Sequence, residues 1–542
     1  MSDVRWSHGI AAEEGARHNS LLPLLASLLS ARKSFTYLIT AIWAGGLWCY
    51  LRSLTNNDVA WALVAAEKWL AGAQLYQDVI EVNPPLFIWL KAPVVLASHW
   101  TGIPATELVV FYFFALIALS LGLIWKTTEN GFDRTNLLGR GLTLASAIVL
   151  IVFPARDFGQ REHIMLIFAL PYMLLVARRA LGLEIRHGLA TTIGLLAGLG
   201  FALKPPFFVV LPFMLEFYLV FRRPSLRTAL RPELVAAAVI FVGYGFLVVA
   251  MTPDYLIRVV PWILLVYGEG YGTSTWSIIF CWQSAALLGL LVTHIGLRSR
   301  QAYPIVTDVL LICAAAFFLT YVMQAKGWAY QVLPATALIF LSIAVIAVSD
   351  PLRRGLHGVL PTVGVFALGA MTSLPLAMGG YRNPAIKTLL PIVREHAAGG
   401  SIYTLSSYLW MSFPLVNKAG VGWSSRFSTL WLLPGAERRL ASPEAANDLA
   451  LASMLRAAES YTLAAVVEDF ERDPPKLVIV DRRRDPRFGD TSFDYLAYLN
   501  ADGRFSSIWS HYRKLRSVTF DDLGKLDIYE RIPETAPASP AP

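Results

Sequence analysis

Residues 106–125 of the chain read TELVVFYFFALIALSLGLIW, a run that contains one charged side chain, Glu107. A helix of about 20 apolar residues is long enough to cross the hydrocarbon core of a bilayer, because each residue adds about 1.5 Å to its length. This stretch therefore predicts a membrane-spanning helix, and further runs of the same kind occupy much of the chain.

The composition also indicates a membrane protein. Only 15% of the 542 residues are charged and 56% are hydrophobic, whereas about a quarter of the residues in soluble domains are charged. The predicted spans are residues 35–54, 106–125, 139–155, 163–178, 188–203, 206–221, 233–251, 275–297, 304–323, 329–348 and 357–377. They predict a polytopic α-helical membrane protein with about eleven transmembrane helices.

Basic residues concentrate in alternate loops between these spans. The loops contain Arg32 and Lys33; Lys126, Arg134 and Arg140; Arg178, Arg179 and Arg186; Arg222, Arg223, Arg227 and Arg231; Arg298 and Arg300; Arg353 and Arg354. By the positive-inside rule these loops face the cytoplasm, which places the N-terminus inside and the C-terminus outside. The pattern also favours two spans around Lys204 over one broken helix. Because the charges form no single face, nucleic-acid binding is not expected.

The spans divide the chain into regions of different composition. A cytoplasmic segment (1–34) precedes the membrane domain (35–378). The first outer loop (55–105) of this domain contains an amphipathic stretch, Asp58–Leu70, and an apolar segment, Leu86–Trp100, and both are predicted to be helices that lie along the membrane surface. Residues 379–532 have the composition of a soluble domain. There, strand-like runs at 401–405, 476–481 and 526–531 and a helical run at 442–458 predict an extracytoplasmic α/β domain, followed by a disordered Pro/Ala tail, 533–542.

Polar residues collect at the outer ends of the spans. They are Asn56, Asn57 and Asp58 with Asp78, Glu81 and Asn83; the run from Arg156 to His163, with Asp157 and Arg161; Lys204; and the run from Gln324 to Gln331, with Lys326, Trp328 and Tyr330. Ionisable residues at membrane depth are candidates for function. Structural roles remain open: Asp58 or Asp157 could cap a helix, and Arg156, Arg161, Lys326 and Trp328 could anchor the protein at the lipid headgroups.

These side chains are chemically complementary. A carboxylate can deprotonate a hydroxyl or bind a cation, Arg and Lys can hold a phosphate, and aromatic rings can stack on a sugar. The combination suits a lipid-phosphate substrate that reacts with an alcohol at the outer face of the membrane.

The first outer loop resembles that of the GT-C type membrane glycosyltransferases, the group that includes protein O-mannosyltransferases and the lipid A aminoarabinose transferase. Residues 57–93 read NDVAWALVAAEKWLAGAQLYQDVIEVNPPLFIWLKAP. The resemblance rests on an Asp that opens the loop, an amphipathic helix, a Gly with a Leu-Tyr pair, and a Pro-Pro-Leu segment. In this chain these are Asp58, Gly72, Leu75-Tyr76 and Pro84-Pro85-Leu86. The span count and the outer domain also fit that group.

The resemblance implies a glycosyltransferase with a polyprenyl-phosphate sugar as donor and with inversion at the anomeric carbon. It implies that Asp58 is the general base and that Asp157 is a second acidic position. Arg161, Lys204 and Lys326 are the candidates for the donor phosphate, and His163, Trp328, Tyr330 and Glu81 complete the predicted donor-binding set. No cofactor is certain; a divalent metal, Mg²⁺ or Mn²⁺, is left open, with Asp58 and Asp157 as its candidate ligands. Where many relatives have a second acid after the first Asp, this chain has Val59, which argues against a metal in the loop.

The sequence thus predicts an enzyme of the inner or plasma membrane that transfers a sugar to an extracytoplasmic acceptor: an envelope glycan such as lipopolysaccharide, a lipid or a protein. The alternative is a transporter or flippase of a lipid-linked sugar. A transporter predicts polar residues deep in several spans, and few are present away from the span ends.

Overall fold

A computed structural model describes residues 31–129, 132, 136–225, 228, 230–348, 359–489, 491–520 and 524–533. Most of the predicted N-terminal segment, the basic residues Arg134, Arg227, Arg353 and Arg354, and the tail from residue 534 lie outside this part of the chain.

Eleven apolar helices, counted within the described residues, correspond to the eleven predicted spans. They are α1 (Arg32–Leu51), α5 (Ala105–Thr128), α6 (Leu137–Ile151), α7 (Arg161–Ala180), α8 (His187–Ala202), α9 (Pro205–Arg222), α10 (Pro232–Met251), α14 (Trp282–Leu297), α15 (Pro304–Gln324), α16 (Ala329–Val348) and α17 (Val359–Met378). Seven of them are long and apolar enough to cross a membrane, whereas α6, α8, α14 and residues 363–378 of α17 form shorter apolar helices. The predicted polytopic helical fold is confirmed.

Two helices predicted within the membrane domain, residues 35–378, are interrupted. The eighth span separates into α13 (Thr275–Ile279) and α14, because Phe280 and Cys281 leave the helical backbone region. The sequence has no proline or glycine at this position that would predict the break. In the first long loop, the predicted helix 86–100 separates into α3 (Leu86–Trp89) and α4 (Ala92–Thr101). Pro93 explains the second break, since proline is tolerated in the first turn of a helix but not in its interior.

Helices α8 and α9 are two antiparallel spans. The joint between them, Lys204, donates to Gln324 at the end of α15, whereas Arg223 at the other end of α9 donates to Ala180 O at the end of α7. The chain therefore reverses direction at Lys204, as the charge pattern of the loops predicts.

Helix α7 is the centre of the bundle, and nearly all its side chains are buried. Helices α1 and α10 are peripheral, since few of their residues are buried within the protein. Apolar side chains exposed on such outer helices are compatible with lipid contact. The polar residues at the start of α7 consequently lie among other helices and not against lipid.

Close packing of α8 on α10 depends on two glycines spaced four residues apart. A Cβ atom at Gly194 would lie 2.1 Å from Glu233 O, and one at Gly198 would lie 2.8 Å from Ala237 O. Small residues at this spacing let helix backbones approach each other inside a membrane.

Gly194→Ala is expected to destabilise the protein by about 1–3 kcal/mol, because the added methyl group must push α8 away from α10. Gly188→Ala, in the first turn of the same helix, is the matched control, since a Cβ atom there meets nothing within 4 Å. Denaturant unfolding in detergent micelles measures both variants. Equal stability of the two would contradict the close packing inferred for α8 and α10.

The first long loop folds as α2 (Asn57–Leu70), α3 and α4. Helix α2 begins one residue before the predicted amphipathic stretch and ends where the stretch was predicted to end. Its residues from Val59 to Ala66 are buried, while α4 exposes Leu96 and Trp100. The loop is thus an integral part of the fold, and α4 presents an apolar face to the surroundings.

The loop between α10 and α14 contains three short helices. These are α11 (Val260–Trp262), α12 (Gly268–Tyr271) and α13, and the segments Tyr255–Val259 and Ile263–Tyr267 adopt π-helical turns. Together with the turn at 325–328 they cover the same end of the bundle as the first long loop.

The C-terminal domain is α/β. Its helices are α18 (Pro384–His396), α19 (Leu415–Ala419), α20 (Leu432–Leu440), α21 (Pro443–Asn447), α22 (Leu449–Arg472), α23 (Tyr495–Leu499) and α24 (Gly503–Trp509). Its strands are β1 (Ser401–Leu405), β2 (Gly422–Trp423), β3 (Leu477–Asp481), β4 (Arg484–Asp485), β5 (Thr491–Ser492), β6 (Tyr512–Phe520) and β7 (Gly524–Arg531). The main sheet has the order β2-β1-β3-β7-β6; β1 is parallel to β2 and β3, and β7 is antiparallel to β3 and β6.

The C-terminal domain is fastened to the first long loop and to the α10–α14 loop. Lys68 of α2 donates to Ser425 O (2.8 Å), and Asn417 donates to Ala60 O (3.1 Å). At the second contact, Gly435 of α20 lies so close to the α10–α14 loop that a Cβ atom would be 1.9 Å from Val266 O. These contacts hold the domain over one end of the membrane helices.

The opposite end of the bundle carries the basic loops. There Arg231 pairs with Glu216 (2.7 Å) and with Glu233 (2.9 Å), and Arg179 pairs with Glu233 (3.0 Å). The positive-inside rule assigns the basic loops at this end to the cytoplasm, and the orientation of each end relative to the cytoplasm stays a prediction.

Candidate functional site

A cavity of about 800 Å³ lies between the C-terminal domain and the membrane helices. Its floor is built from the start of α2, residues 81–83, the segment before α7 and the start of α16. Its walls come from residues 267–272, the linker at 381–384 and the C-terminal domain. Three of the four predicted clusters contribute side chains to this floor: Asp58, Glu81, Arg156, Asp157, Arg161, Trp328 and Tyr330.

Asp58 sits at the first turn of α2, but Asn56 caps that helix. The Asn56 side chain accepts from the backbone N–H of Asp58 (2.9 Å). The carboxylate of Asp58 instead accepts from Gln160 Nε2 (2.7 Å) at one oxygen and from Arg161 Nη2 (3.4 Å) at the other. The N-cap of α2 is therefore Asn56 and not Asp58, as the sequence had left open. The Asp58 carboxylate is held toward the cavity by Gln160 and Arg161.

Asp157 lies in a 3₁₀ turn, Ala155–Asp157, at the edge of the cavity floor. Burial, with the charge of Asp58 as the second cause, raises the pKa of Asp157 from 3.8 to about 7, against the opposing effect of Arg156. A carboxyl group with such a pKa can take up or release a proton near neutral pH.

Asp157→Asn is expected to make the protein more heat-stable than the wild type at pH 8, and the difference is expected to shrink toward pH 5. The folded state binds a proton at Asp157 more tightly than the unfolded chain does, so this group lowers stability as the pH rises from about 4 to about 7. Asparagine stays neutral throughout. Thermal unfolding at several pH values measures the effect. A difference independent of pH would contradict the raised pKa.

A buried ion pair lies under the cavity floor. Lys204 contacts Glu162 and also donates to Gln324 Oε1 (2.9 Å), and the Glu162 side chain is fully buried. Gln331 Nε2 donates to the same oxygen of Gln324 (3.0 Å). This network joins α7, α9, α15 and α16 next to Arg161, so it fixes the place at which the Arg161 guanidinium enters the cavity.

Glu81 is buried in the cavity lining and holds the first long loop. Its carboxylate accepts from Trp61 Nε1 (2.6 Å) and from the backbone N–H of Asn83 (3.0 Å). Trp328 and Tyr330, at the start of α16, add aromatic surface, and the two rings lie 5.7 Å apart.

Three predicted site residues do not line the cavity: Lys204, His163 and Lys326. The Nδ1 atom of His163 accepts from the backbone N–H of Gly159 (3.0 Å), and its Nε2 lies 2.8 Å from Leu150 O. The ring thereby holds the turn in which Gly159 adopts a φ of 81°. Lys326 donates to Tyr267 O (2.7 Å), and burial lowers its pKa to about 8.

The C-terminal domain supplies lining residues that the sequence analysis did not single out. They are Tyr408, Trp410, Trp431, Arg438 and Arg487, together with Tyr267 and Tyr271 from the loop before α14. The sequence does contain one indication of these residues, because residues 481–490, DRRRDPRFGD, form a charged run as dense as the one before α7. Nothing in the sequence shows that this run folds back to the membrane end.

The residues present do not fit a resident divalent metal. In the described part of the chain no group of three or more His, Cys, Asp or Glu side chains is close enough to hold one. Asp58 and Asp157, the predicted metal ligands, therefore have no third His, Cys, Asp or Glu side chain beside them among the described residues to complete a metal site.

No family model and no curated protein matches the chain. Among solved structures, it is similar to ArnT from Cupriavidus metallidurans in the apo state, with 14% sequence identity and a TM-score of 0.47 over 91% of this chain and 97% of that chain. It is also similar to the oligosaccharyltransferase of Archaeoglobus fulgidus in complex with zinc and sulfate, with 13% identity and a TM-score of 0.41 over 95% of this chain and 74% of that chain. Both are GT-C glycosyltransferases, the group that the first long loop resembles.

Proposed function

We propose that the protein is a membrane-embedded glycosyltransferase that moves a sugar from a polyprenyl-phosphate carrier to an acceptor hydroxyl. One observation carries the proposal: the Asp58 carboxylate and the Arg161 guanidinium lie 3.4 Å apart in the lining of a large cavity at the end of the membrane helices. A base for the acceptor and a cation for the donor phosphate are thus adjacent, with aromatic rings around them.

In this mechanism Asp58 accepts the proton of the acceptor hydroxyl. The hydroxyl oxygen attacks the anomeric carbon of the sugar as the bond from that carbon to the phosphate oxygen breaks, and the configuration inverts. The electron pair of the broken bond leaves on the polyprenyl phosphate. Arg161 stabilises the charge that develops there, in a site that burial makes electrostatically effective.

The remaining predicted residues receive supporting roles. Asp157, with its pKa near 7, is the second proton acceptor. Trp328 and Tyr330 stack on the sugar. Lys204 acts through Glu162, and Lys326 holds the loop at Tyr267. Glu81 holds the backbone at Asn83, and His163 holds the turn at Gly159.

The orientation follows from the loop charges. We place the basic end of the bundle in the cytoplasm of a cell with an inner or plasma membrane, and the cavity and the C-terminal domain on the opposite side. A lipid-linked donor suits this placement, since its polyprenyl chain stays in the bilayer while its sugar phosphate enters the cavity.

The test is transfer of radiolabelled sugar from a panel of polyprenyl-phosphate sugars to an envelope extract, with purified wild-type protein and Arg161→Gln side by side. Incorporation by the wild type and a loss of about 10²-fold or more in the variant are expected, since a buried donor to a developing charge contributes that much. Absence of transfer with every donor, together with carrier movement across vesicles, would overturn the proposal in favour of a flippase.

A further inference from the structure

The two sides of the cavity differ in charge. The floor combines Asp58, Glu81 and Asp157 with Arg156 and Arg161. The lining residues from position 381 onward, which form the linker and the C-terminal wall, include Arg382, Arg438 and Arg487 and no acidic residue. A wall of one charge sign facing a confined space attracts ligands of the opposite sign.

Two of these arginines have no carboxylate partner in the described part of the chain. Arg438 donates to two neutral backbone carbonyls, Glu269 O (2.9 Å) and Pro486 O (2.8 Å). This arrangement fixes the guanidinium and leaves its charge uncompensated. Arg382 is exposed on the linker at the cavity edge. Guanidinium groups without a carboxylate partner favour phosphate or carboxylate binding.

Aromatic side chains accompany the cations. The Arg487 guanidinium lies 3.3 Å from the ring centroid of Tyr408 and 5.1 Å from that of Tyr271, and its Nε donates to Asp485 (3.0 Å). Trp431 is buried in the cavity lining, and its indole N–H has no hydrogen-bond partner among the described residues. An unpaired buried donor next to ring faces is suited to a polar ligand with apolar faces, as a sugar ring has.

We propose that the C-terminal wall is the acceptor subsite and that it binds a carbohydrate bearing an anionic group, a phosphate or a carboxylate. This inference rests on the proposed function, because it assigns the acceptor side of the same cavity. In this arrangement Arg161 on the floor binds the donor phosphate, and Arg438 and Arg382 on the wall bind the anionic group of the acceptor.

The experiment measures binding without transfer, so its outcome is independent of turnover. Glucose 6-phosphate and galacturonate are titrated calorimetrically into the detergent-solubilised full chain, with glucose and galactose as neutral partners. The anionic sugars are expected to bind about 10-fold more tightly than the neutral ones, since a charge-assisted hydrogen bond is stronger than one between neutral groups. Tighter binding of the phosphate than of the carboxylate, or the reverse, identifies the anion.

Arg438→Gln and Arg382→Gln are each expected to remove most of this preference and to leave the neutral sugars unaffected. Arg516→Gln is the control, because Arg516 is exposed on β6 outside the cavity lining. Equal affinities for anionic and neutral sugars in the wild type would overturn the inference. Displacement of glucose 6-phosphate by a short polyprenyl phosphate would also overturn it, since the wall would then be part of the donor site. Loss of transfer in the donor panel with this preference intact would refute only the proposed function.

Discussion

Asp58→Asn is expected to lower the rate of sugar transfer by about 10²–10⁴-fold, the range that a positioned general base contributes. The substitution retains an oxygen that can accept from Gln160, so the hydrogen bond at 2.7 Å in the wild type has a counterpart in the variant. What the variant lacks is the ability to take the acceptor proton. The fold should therefore persist while turnover is lost.

The measurement is single-turnover transfer with the donor that the wild type uses, accompanied by thermal unfolding of both proteins. Asp78→Asn is the matched control: Asp78 belongs to the same loop and pairs with Arg472 (3.0 Å), but it lies outside the cavity lining. Wild-type rates in Asp58→Asn would exclude this residue as the base. Equal losses in both variants would point to damage of the loop and not to lost chemistry.

Lys204→Met is expected to destabilise the protein by about 3–5 kcal/mol, because it leaves the Glu162 carboxylate buried without its cation. The Glu162 side chain is 0% exposed and the Lys204 side chain is 9% exposed, so water cannot replace the lost partner. The double variant Lys204→Met/Glu162→Gln removes both charges and is expected to recover much of the loss.

Denaturant unfolding in detergent micelles gives the coupling free energy from the two single variants and the double variant. Lys126→Met is the control, since Lys126 pairs with Glu129 at 3.2 Å on an exposed surface and such pairs contribute at most about 1 kcal/mol. A double variant no more stable than Lys204→Met would contradict the buried pair. Lost transfer in a stable double variant would support its proposed role in placing Arg161.

Several structural features were predictable because they are local. Hydropathy located the eleven helices that match the predicted spans, α1, α5 to α10 and α14 to α17, since the cost of placing each residue in a bilayer is nearly independent of its distant neighbours. Alternating and periodic patterns located β1, β3 and β7. The single helix predicted over 86–100 missed the break before Pro93, although proline restricts helices wherever it occurs.

The break at Phe280 was not predictable from local rules, and the helical run 442–458 also divides, between α21 and α22 at Asp448. In the second case the Asp448 side chain accepts from the backbone N–H groups of Ala450 and Leu451 (3.0 Å each) and starts a new helix. An aspartate inside a helical pattern has this capping option, and the surrounding packing selects it.

The assembly of the site was decided by tertiary structure alone. Asp58 meets Gln160 and Arg161, about a hundred positions away, and Lys204 meets Gln324, 120 positions away. The sequence placed these residues at span ends and indicated their chemistry. It did not separate Arg161, which enters the cavity, from Lys204 beneath it or from His163, which holds a turn. Those distinctions depend on how the helices pack and where the C-terminal domain docks. The packing contacts arise between surfaces that are distant in the chain, whereas hydropathy and capping act within a few residues of each position.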